Sequence, residues 1–277
     1  MSGPILLLGG SGRLGSALRA EMERRQQAYV APPRNGSGLA ADASAVIHAG
    51  GFTNVDAAEL EANHDDVQRA NVEGPRDMAV LCAGRKTPFV YVSTDYVFDG
   101  GKGEPYDEDD EAYPLQNYGA SKLAGEREIL SANPAALIVR VSTLYGLPER
   151  PAYVDKILAA ARQGADLAVV EHPVSSPTYV ADVAPALLDL LDRKATGIVH
   201  VVNDGAASRL ELARAVVALA GLGDRVHVTA RPEAPGSLAR PPYSVLDTAK
   251  LESLLGRRLP PWKDALARYL ATLRDAG

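Results

Sequence analysis

A glycine-rich loop that directly follows a short apolar run is the feature that most constrains how this chain can fold. The run Ile5–Leu8 is typical of a buried parallel strand, and the loop Gly9–Gly15 has glycine at every third position. Gly9 would form a tight turn, Gly12 would let a diphosphate approach the backbone, and Gly15 would let helix and strand pack closely. The helix that opens here, with Arg13 and Leu14 in its first turn, would direct free N–H groups at that diphosphate. A glycine turn without a ligand is the alternative.

The apolar runs and helix patterns that follow extend this beginning into a doubly wound parallel sheet. Strands that alternate with helices imply right-handed crossovers and a parallel sheet. We therefore predict an α/β fold with a Rossmann-type NAD(P)-binding domain over residues 1–146. The predicted strands are Ile5–Leu8, Tyr29–Ala31, Ala45–Ala49, Phe89–Val92 and Ala136–Val141, and the predicted helices include Arg13–Arg25 and Asp65–Ala83.

Beyond Gly146 the pattern loosens, and proline-rich breaks separate shorter elements. We predict that residues 147–277 form a smaller C-terminal substrate-binding lobe, interleaved with the first domain. Its predicted helices are Tyr153–Gln163, Ala181–Asp192, Ser208–Ala220 and Trp262–Leu273, and its predicted strands are Leu167–Val170, Gly197–Val201 and Val226–Thr229.

Composition narrows the class of partner. The chain has 277 residues and a net charge of −6, with no basic cluster, so a nucleic-acid partner is not expected. No segment approaches the roughly 20 apolar residues that span a bilayer. The single cysteine, Cys82, has no partner for an internal disulfide and fits a cytoplasmic protein.

The end of the second predicted strand bears on the choice of cofactor. A site that prefers NAD usually has an acidic residue there, whereas this chain has Arg34, whose forked donors suit the 2′-phosphate of NADPH. NADH stays possible, because a loop arginine is often merely solvated. Asp42 would accept a hydrogen bond from the adenine, or cap a helix. The small residues Ala49, Gly50 and Gly51 would let the backbone approach the inner half of the cofactor, beside a structural His48.

A second pattern suggests acid–base chemistry. Tyr118 and Lys122 are four residues apart and would share one face of a helix, with Thr94 upstream. A nearby ammonium favours the phenolate and would lower the tyrosine pKa from about 10. With a hydride donor opposite, such a group would reduce a carbonyl. A solvated helix edge is the common alternative for a Tyr/Lys pair at this spacing.

These motifs together resemble the dTDP-4-dehydrorhamnose reductases, a group of extended short-chain dehydrogenases/reductases. The likeness covers nearly the whole chain, and the Ser-Thr-Asp-Tyr-Val-Phe run followed by Tyr-Gly-x-Ser-Lys-Leu-Ala-Gly-Glu is its most specific part. The matching segments are Gly9–Gly15, Phe52–Glu59, Ser93–Gly100, Pro114–Glu126, Arg140–Gly146, Ser176–Thr178 and Arg240–Ser244.

The resemblance implies NADPH-dependent reduction of the 4-keto group of a dTDP-linked 4-keto-6-deoxyhexose. Thr94 would bind the carbonyl oxygen, Tyr118 would donate the proton, and Lys122 would hold the nicotinamide ribose and lower the tyrosine pKa. Asp95, Tyr96 and Arg240 would contact the substrate. Asn71 would support the site, or be a capping or surface residue.

At two positions the chain departs from the family pattern, which limits the family properties that can be expected of it. Thr143 stands where many members have a tryptophan that lines the sugar pocket, so Thr143 would line it here and the exact sugar stays open. Ala17 stands where some members have a magnesium-binding glutamate between subunits, so no metal is carried over. A homodimer is possible.

Two other functions fit the same fold. A non-catalytic regulatory subunit, like that of methionine adenosyltransferase, would bind a partner enzyme in stoichiometric amounts and oxidise no NADPH. A nucleotide-sugar epimerase or dehydratase would hold NAD⁺ tightly through purification, and a dehydratase would want an acid pair where Asp95 is followed by Tyr96. The presence of Thr94, Tyr118 and Lys122 together favours the reductase.

Overall fold

The computed structural model describes residues 3–32 and 42–275, and its centre is a six-stranded sheet in the order β10-β5-β4-β3-β1-β2, with every neighbouring pair parallel. The strands are β1 Ile5–Leu8, β2 Tyr29–Val30, β3 Ala45–His48, β4 Phe89–Thr94, β5 Leu137–Val141, β6 Leu144–Tyr145, β7 Leu167–Val170, β8 Val174–Ser175, β9 Thr178–Tyr179, β10 Gly197–His200, β11 Asn203–Asp204, β12 Ala207–Ser208, β13 Val228–Arg231 and β14 Leu259–Pro261. The predicted doubly wound parallel sheet is confirmed.

Helices cover both faces of this sheet. One face packs against α1 and α7 through a core that includes Leu18 and Leu187, and the other packs against α4 and α5 through Cys82 and Ile129. The helices are α1 Arg13–Arg24, α2 Val55–Ala58, α3 His64–Gln68, α4 Gly74–Arg85, α5 Asn117–Ala132, α6 Tyr153–Arg162, α7 Val180–Asp192, α8 Arg209–Leu219, α9 Ala249–Leu255 and α10 Trp262–Asp275.

The predicted helix over Asp65–Ala83 is interrupted. Residues Arg69–Glu73 form a π-helical turn between α3 and α4, and Asn71 lies within it. Single π turns often occur at functional sites. Here the wider turn buries Asn71 completely between the sheet and α5, as described below.

The strand predicted at Gly197–Val201 does not belong to the smaller lobe. It runs parallel to β5 as the edge strand of the large sheet, with Ile198 beside Ile138. The physical reason is α7, which packs on α1 and acts as the crossover that returns the chain to the sheet. Residues after 146 thus complete the large sheet, which agrees with two interleaved units. The boundary at residue 146 itself stays a prediction.

A second apolar core lies among α6, α8 and α10, where Tyr145, Leu158, Val216 and Leu266 are buried. The strands here form two-stranded ladders, β7 with β13, β8 with β12, β11 with β14 and β6 with β9. The strand predicted at Val226–Thr229 is observed as β13, two residues later. Within the described ranges, no helix has the length and apolar character needed to cross a bilayer.

Candidate active site

The glycine loop lies at the carboxyl end of β1, which is the edge of a parallel sheet where ligands bind. Gly9 has φ +83°, and a Cβ atom there would lie 2.4 Å from the backbone N of Gly50. A Cβ on Gly15 would lie 2.1 Å from the carbonyl oxygen of Gly9. Only glycine satisfies both the turn and this helix–strand approach.

The start of α1 fits a dinucleotide diphosphate. Gly12 is the N-cap residue, and neither a capping side chain nor an acidic residue occupies the first turn. A Cβ on Gly12 would meet only the Gly9 carbonyl, at 3.2 Å, so the bare backbone leaves space in front of the helix. This is the arrangement of N–H groups and helix dipole that binds phosphate.

The side chains of Arg13 and Leu14, which follow Gly12, contact other parts of the protein. Arg13 donates a hydrogen bond to the carbonyl oxygen of Arg150, 2.7 Å away, and burial lowers its pKa. Its Nε atom is buried without a hydrogen-bond partner among the described residues. Leu14 packs in the apolar core, so its predicted cofactor contact would have to come from its backbone.

Arg34 and Asp42 are the residues predicted to contact the adenosine half of the cofactor. Arg34 lies outside the described residues. Asp42 is exposed, and its carbonyl oxygen lies beside Gly3, at the amino end of the sheet. Parallel strands place the glycine loop at the opposite edge, so the backbone of Asp42 lies away from that loop, and its contact with adenine stays a prediction.

The loop Ala49–Gly51 is held in place by Asn71. The Asn71 side chain accepts a hydrogen bond from Phe52 N at 2.8 Å and donates to Phe52 O and to the Ser121 hydroxyl. The backbone carbonyl oxygen of Asn71 accepts a hydrogen bond from the Tyr91 hydroxyl, 2.8 Å away. Asn71 is fully buried, so it is neither a helix cap nor a surface residue but a link between this loop, β4 and α5. His48 is adjacent, and burial lowers its pKa to about 4, which leaves it neutral.

Thr94 ends β4 and caps the short 3₁₀ turn that follows it. Its Oγ1 accepts a hydrogen bond from Tyr96 N at 3.2 Å and donates to Asp95 at 3.1 Å. Asp95 also accepts hydrogen bonds from the hydroxyls of Ser142 and Ser244, at 2.7 and 2.6 Å. Asp95 is buried, and its carboxylate orients Thr94. Its predicted contact with the sugar stays a prediction.

Tyr118 lies in the first turn of α5, next to Thr94. Burial raises the pKa of its phenol above 10, and hydrogen bonding with Thr94 opposes the rise, whereas the charge of Asp95 adds to it. The Tyr96 ring meets the Tyr118 ring edge-on, with the ring centres 6.0 Å apart. Thr94, Tyr96 and Tyr118 thus form one contiguous group, as the sequence indicated.

Lys122 lies one turn further along α5 and is 4% exposed. Its Nζ donates to the carbonyl oxygen of Val92 at 2.6 Å and lies 3.9 Å from the centre of the Tyr91 ring. Burial lowers the pKa of Lys122 to about 7, and the charge of Glu126 opposes this. A hydrogen bond with Thr94 lowers the pKa of Tyr118, and a lowering by Lys122 stays a prediction.

A pocket opens beside Tyr96. Thr143, Tyr153 and Arg209 also line it. Thr143 has φ +41°, which is rare for a β-branched residue and marks backbone strain of the kind found at functional sites. Its hydroxyl lies 2.8 Å from that of Ser175.

Arg240 is close to the pocket without lining it. It forms an ion pair with Asp56, at 3.0 and 3.1 Å from the two carboxylate oxygens, and its charge acts on Tyr96. Sequence reasoning did not assign Ser142, Tyr153, Ser175, Arg209 or Ser244 a role. Ser244 ends one of the family-matching segments, so it was visible as a motif, but its contact with Asp95 spans 149 residues and has no local signal.

A doubly wound parallel sheet, a glycine loop at a helix start and a Thr/Tyr/Lys group at the end of β4 and on α5 define a class: the short-chain dehydrogenases/reductases of the extended kind. The model of the RmlD substrate binding domain family matches residues 3–275. The chain belongs to this family, which includes the dTDP-4-dehydrorhamnose reductases.

Individual relatives and solved structures are consistent with this family membership. A dTDP-4-dehydrorhamnose reductase of Mycobacterium tuberculosis is 35% identical, over 96% of this chain and 92% of that protein. The structure of the Bacillus anthracis dTDP-4-dehydrorhamnose reductase in complex with NADP superposes with a TM-score of 0.91 and 28% identity, over 98% of this chain and all of that one. UDP-glucose 4-epimerase of Thermus thermophilus shares the fold. It superposes with a TM-score of 0.81 and 20% identity, over 99% of this chain and all of that one.

Proposed function

We propose that this protein is an NADPH-dependent reductase of the 4-keto group of a dTDP-linked 4-keto-6-deoxyhexose. The observation that carries the proposal is the contiguous group of Thr94, Tyr96 and Tyr118 at a pocket beside the glycine-loop edge of the sheet. Family membership supports the substrate class, because several matching relatives are dTDP-4-dehydrorhamnose reductases.

The burial of Tyr118 suits a proton donor. Since burial raises its pKa, the phenol stays protonated at neutral pH and can deliver its proton to the oxygen of the ketone as negative charge develops there. Thr94 would turn its hydroxyl from Asp95 to the same oxygen, and the Ser142 and Ser244 hydroxyls would keep Asp95 satisfied. NADPH, when bound, supplies the hydride.

The described residues at the cofactor side fit a nicotinamide dinucleotide. The loop Gly9–Gly15 provides the diphosphate cradle, and Lys122 lies at the inner half, where a Cβ on Gly51 would come within 3.8 Å of its Nζ. The Bacillus anthracis relative is in complex with NADP. Arg34 stays the proposed contact to the 2′-phosphate. A homodimer and a cytoplasmic location also stay predictions.

The test is an NADPH-oxidation assay against several TDP-linked 4-keto sugars, with the configuration of each product at C4 assigned by NMR. We expect turnover with at least one of them, and its identity will show which sugar the Thr143 wall accepts. Absence of turnover with all of them, together with stoichiometric capture of another enzyme, would favour a regulatory subunit. NAD⁺ retained through purification would favour an epimerase.

Tyr118→Phe tests the residue that carries the mechanism. Loss of the phenolic proton should lower kcat by about 10²–10⁴-fold, the usual contribution of a positioned general acid. The dissociation constant of NADPH should stay near that of wild type, since the ring is kept. Tyr113→Phe is the matched control, because Tyr113 is 69% exposed just before the same helix. Full activity of Tyr118→Phe would refute the mechanism.

A further inference from the structure

The wall of the pocket beside Tyr96 combines uncharged groups with one cation. The uncharged groups include the Tyr96 phenol and the Thr143 hydroxyl. The wall also includes Tyr153 and the start of α8, whose first residue is Arg209. The Arg209 guanidinium lies 5.3 Å from the centre of the Tyr153 ring.

Among the residues that the structure describes, no group neutralises the charge of Arg209. Within residues 3–32 and 42–275, no carboxylate lies within 4.0 Å of its guanidinium, and the guanidinium donates no hydrogen bond. Its backbone is firmly held, since Arg209 N donates to the carbonyl oxygens of Glu171 and Pro173, and its own carbonyl accepts from the Tyr153 hydroxyl. The donors of the side chain are thus free on an anchored backbone.

Two neighbouring arginines differ from Arg209 in this respect. Arg240 is neutralised by both oxygens of Asp56. Arg231 acts electrostatically on Tyr153 but donates to the backbone carbonyls of Ala168 and Pro232. Arg209 is therefore the pocket-lining cation with donors available for an anion, and the charge of Arg231 adds to the positive potential near Tyr153.

We infer that Arg209 binds the diphosphate of the nucleotide-sugar substrate. The inference rests on the proposed function, because it takes the reacting carbonyl to lie at Tyr118. In a hexopyranose, C1 and C4 lie on opposite sides of the ring, so a diphosphate on C1 points away from the group that reduces C4. A planar guanidinium matches diphosphate oxygens with two parallel hydrogen bonds.

The experiment compares wild type with Arg209→Ala, Arg209→Lys and the control Arg225→Ala, which removes an exposed arginine just beyond α8. Calorimetry measures dissociation constants for dTDP, thymidine and NADPH. For Arg209→Ala we expect dTDP to bind about 10- to 100-fold more weakly, from the usual strength of a charged hydrogen bond. Thymidine and NADPH should bind as in wild type. Arg209→Lys should recover part of the loss, and Arg225→Ala should show none.

Steady-state kinetics distinguish a failure of the role of Arg209 from a failure of the proposed reductase function. If the proposed function holds, Arg209→Ala should raise KM for the keto sugar about as much as it weakens dTDP, with kcat little changed. An unchanged dTDP affinity and KM would overturn the role of Arg209 and leave the proposed function standing. A weakened NADPH affinity in place of dTDP would overturn it too, since the anion would belong to the cofactor. If wild type reduces no TDP-keto sugar, the proposed function fails, and dTDP binding alone decides: an Arg209-dependent affinity supports the role, and no binding overturns it.

Discussion

At the scale of single residues, burial acts in opposite directions on Tyr118 and Lys122. Transfer from water disfavours the charged form of each group, so it raises the pKa of the phenol and lowers that of the ammonium. The phenol is thereby kept as a proton donor at neutral pH. The ammonium, with a pKa near 7, is instead the group that titrates in the physiological range.

This difference predicts the pH dependence of the reaction. Lys122 is charged below about pH 7 and loses its charge as the pH rises. Since kcat/KM reports the ionisation of the free enzyme, it should fall above about pH 7, while Tyr118 stays protonated. The measurement is a kcat/KM profile between about pH 6 and 9. Lys122→Arg, whose guanidinium does not titrate there, should be less active but show a flat profile. The same falling limb in Lys122→Arg would contradict the assignment.

The sequence was informative about residues with a local motif and uninformative about those positioned by distant partners. Thr94, Tyr96, Tyr118 and Lys122 come together as predicted, because strand ends and one helix turn fix them. The orientation of Asp95 could not be predicted, because it depends on hydroxyls 47 and 149 residues away. The position of Asp42 could not be predicted either, because spacing alone does not show at which edge of the sheet a loop passes.

At the scale of elements, a buried ion pair connects α5, the helix that carries Tyr118 and Lys122, to the sheet. Glu126 accepts two hydrogen bonds from Arg140 of β5, at 2.7 and 3.1 Å, and a further one from the Ser93 hydroxyl. Both side chains of the pair are about 97% buried or more. Glu126 follows Lys122 by one helical turn, so this pair also fixes the helix that carries Lys122.

Glu126→Gln should therefore destabilise the fold strongly. It leaves the Arg140 charge buried without a counter-charge, which typically costs about 3–5 kcal/mol. Urea denaturation followed by circular dichroism gives the free energy of unfolding. The control is Glu128→Gln on the exposed face of the same helix, expected to change it by less than about 0.5 kcal/mol. Equal effects of the two substitutions would show that the buried pair does not hold α5.

The spacing of hydrophobic residues predicted the regular helices and strands, but it did not predict the irregular elements. The glycine loop and α1 appear where predicted, because glycine and apolar periodicity are local signals. The π turn around Asn71 has no such signal, since it is stabilised by contacts with Phe52, Tyr91 and Ser121 from three other segments. The edge position of β10 depends on how α7 packs on α1, which is likewise a non-local property.

At the scale of the whole molecule, two neutral histidines make the fold sensitive to mild acid. Burial lowers the pKa of His48 to about 4 and that of His200 to about 3, whereas both would be near 6.5 in the unfolded chain. Between about pH 6.5 and 4 the unfolded chain binds protons that the folded chain does not. Stability should therefore fall as the pH falls, by up to about 1.4 kcal/mol per pH unit for each histidine.

Unfolding free energies measured at several pH values between about 5 and 7 check this prediction. His200→Asn should reduce the slope by the contribution of one histidine, and His227→Asn, at an exposed position, should leave it unchanged. A slope that is the same in wild type and His200→Asn would contradict the burial of a neutral His200.

The most direct test of the central claim, that this molecule transfers hydride to the C4 ketone of a TDP-linked sugar, is an isotope measurement. Wild-type protein is given NADPH carrying deuterium at both positions of nicotinamide C4, together with a TDP-4-keto-6-deoxyhexose. NMR of the product should show a new alcohol with deuterium at C4 and no H4 signal. A product with hydrogen at C4, or NADPH oxidation without any change at C4, would contradict the account.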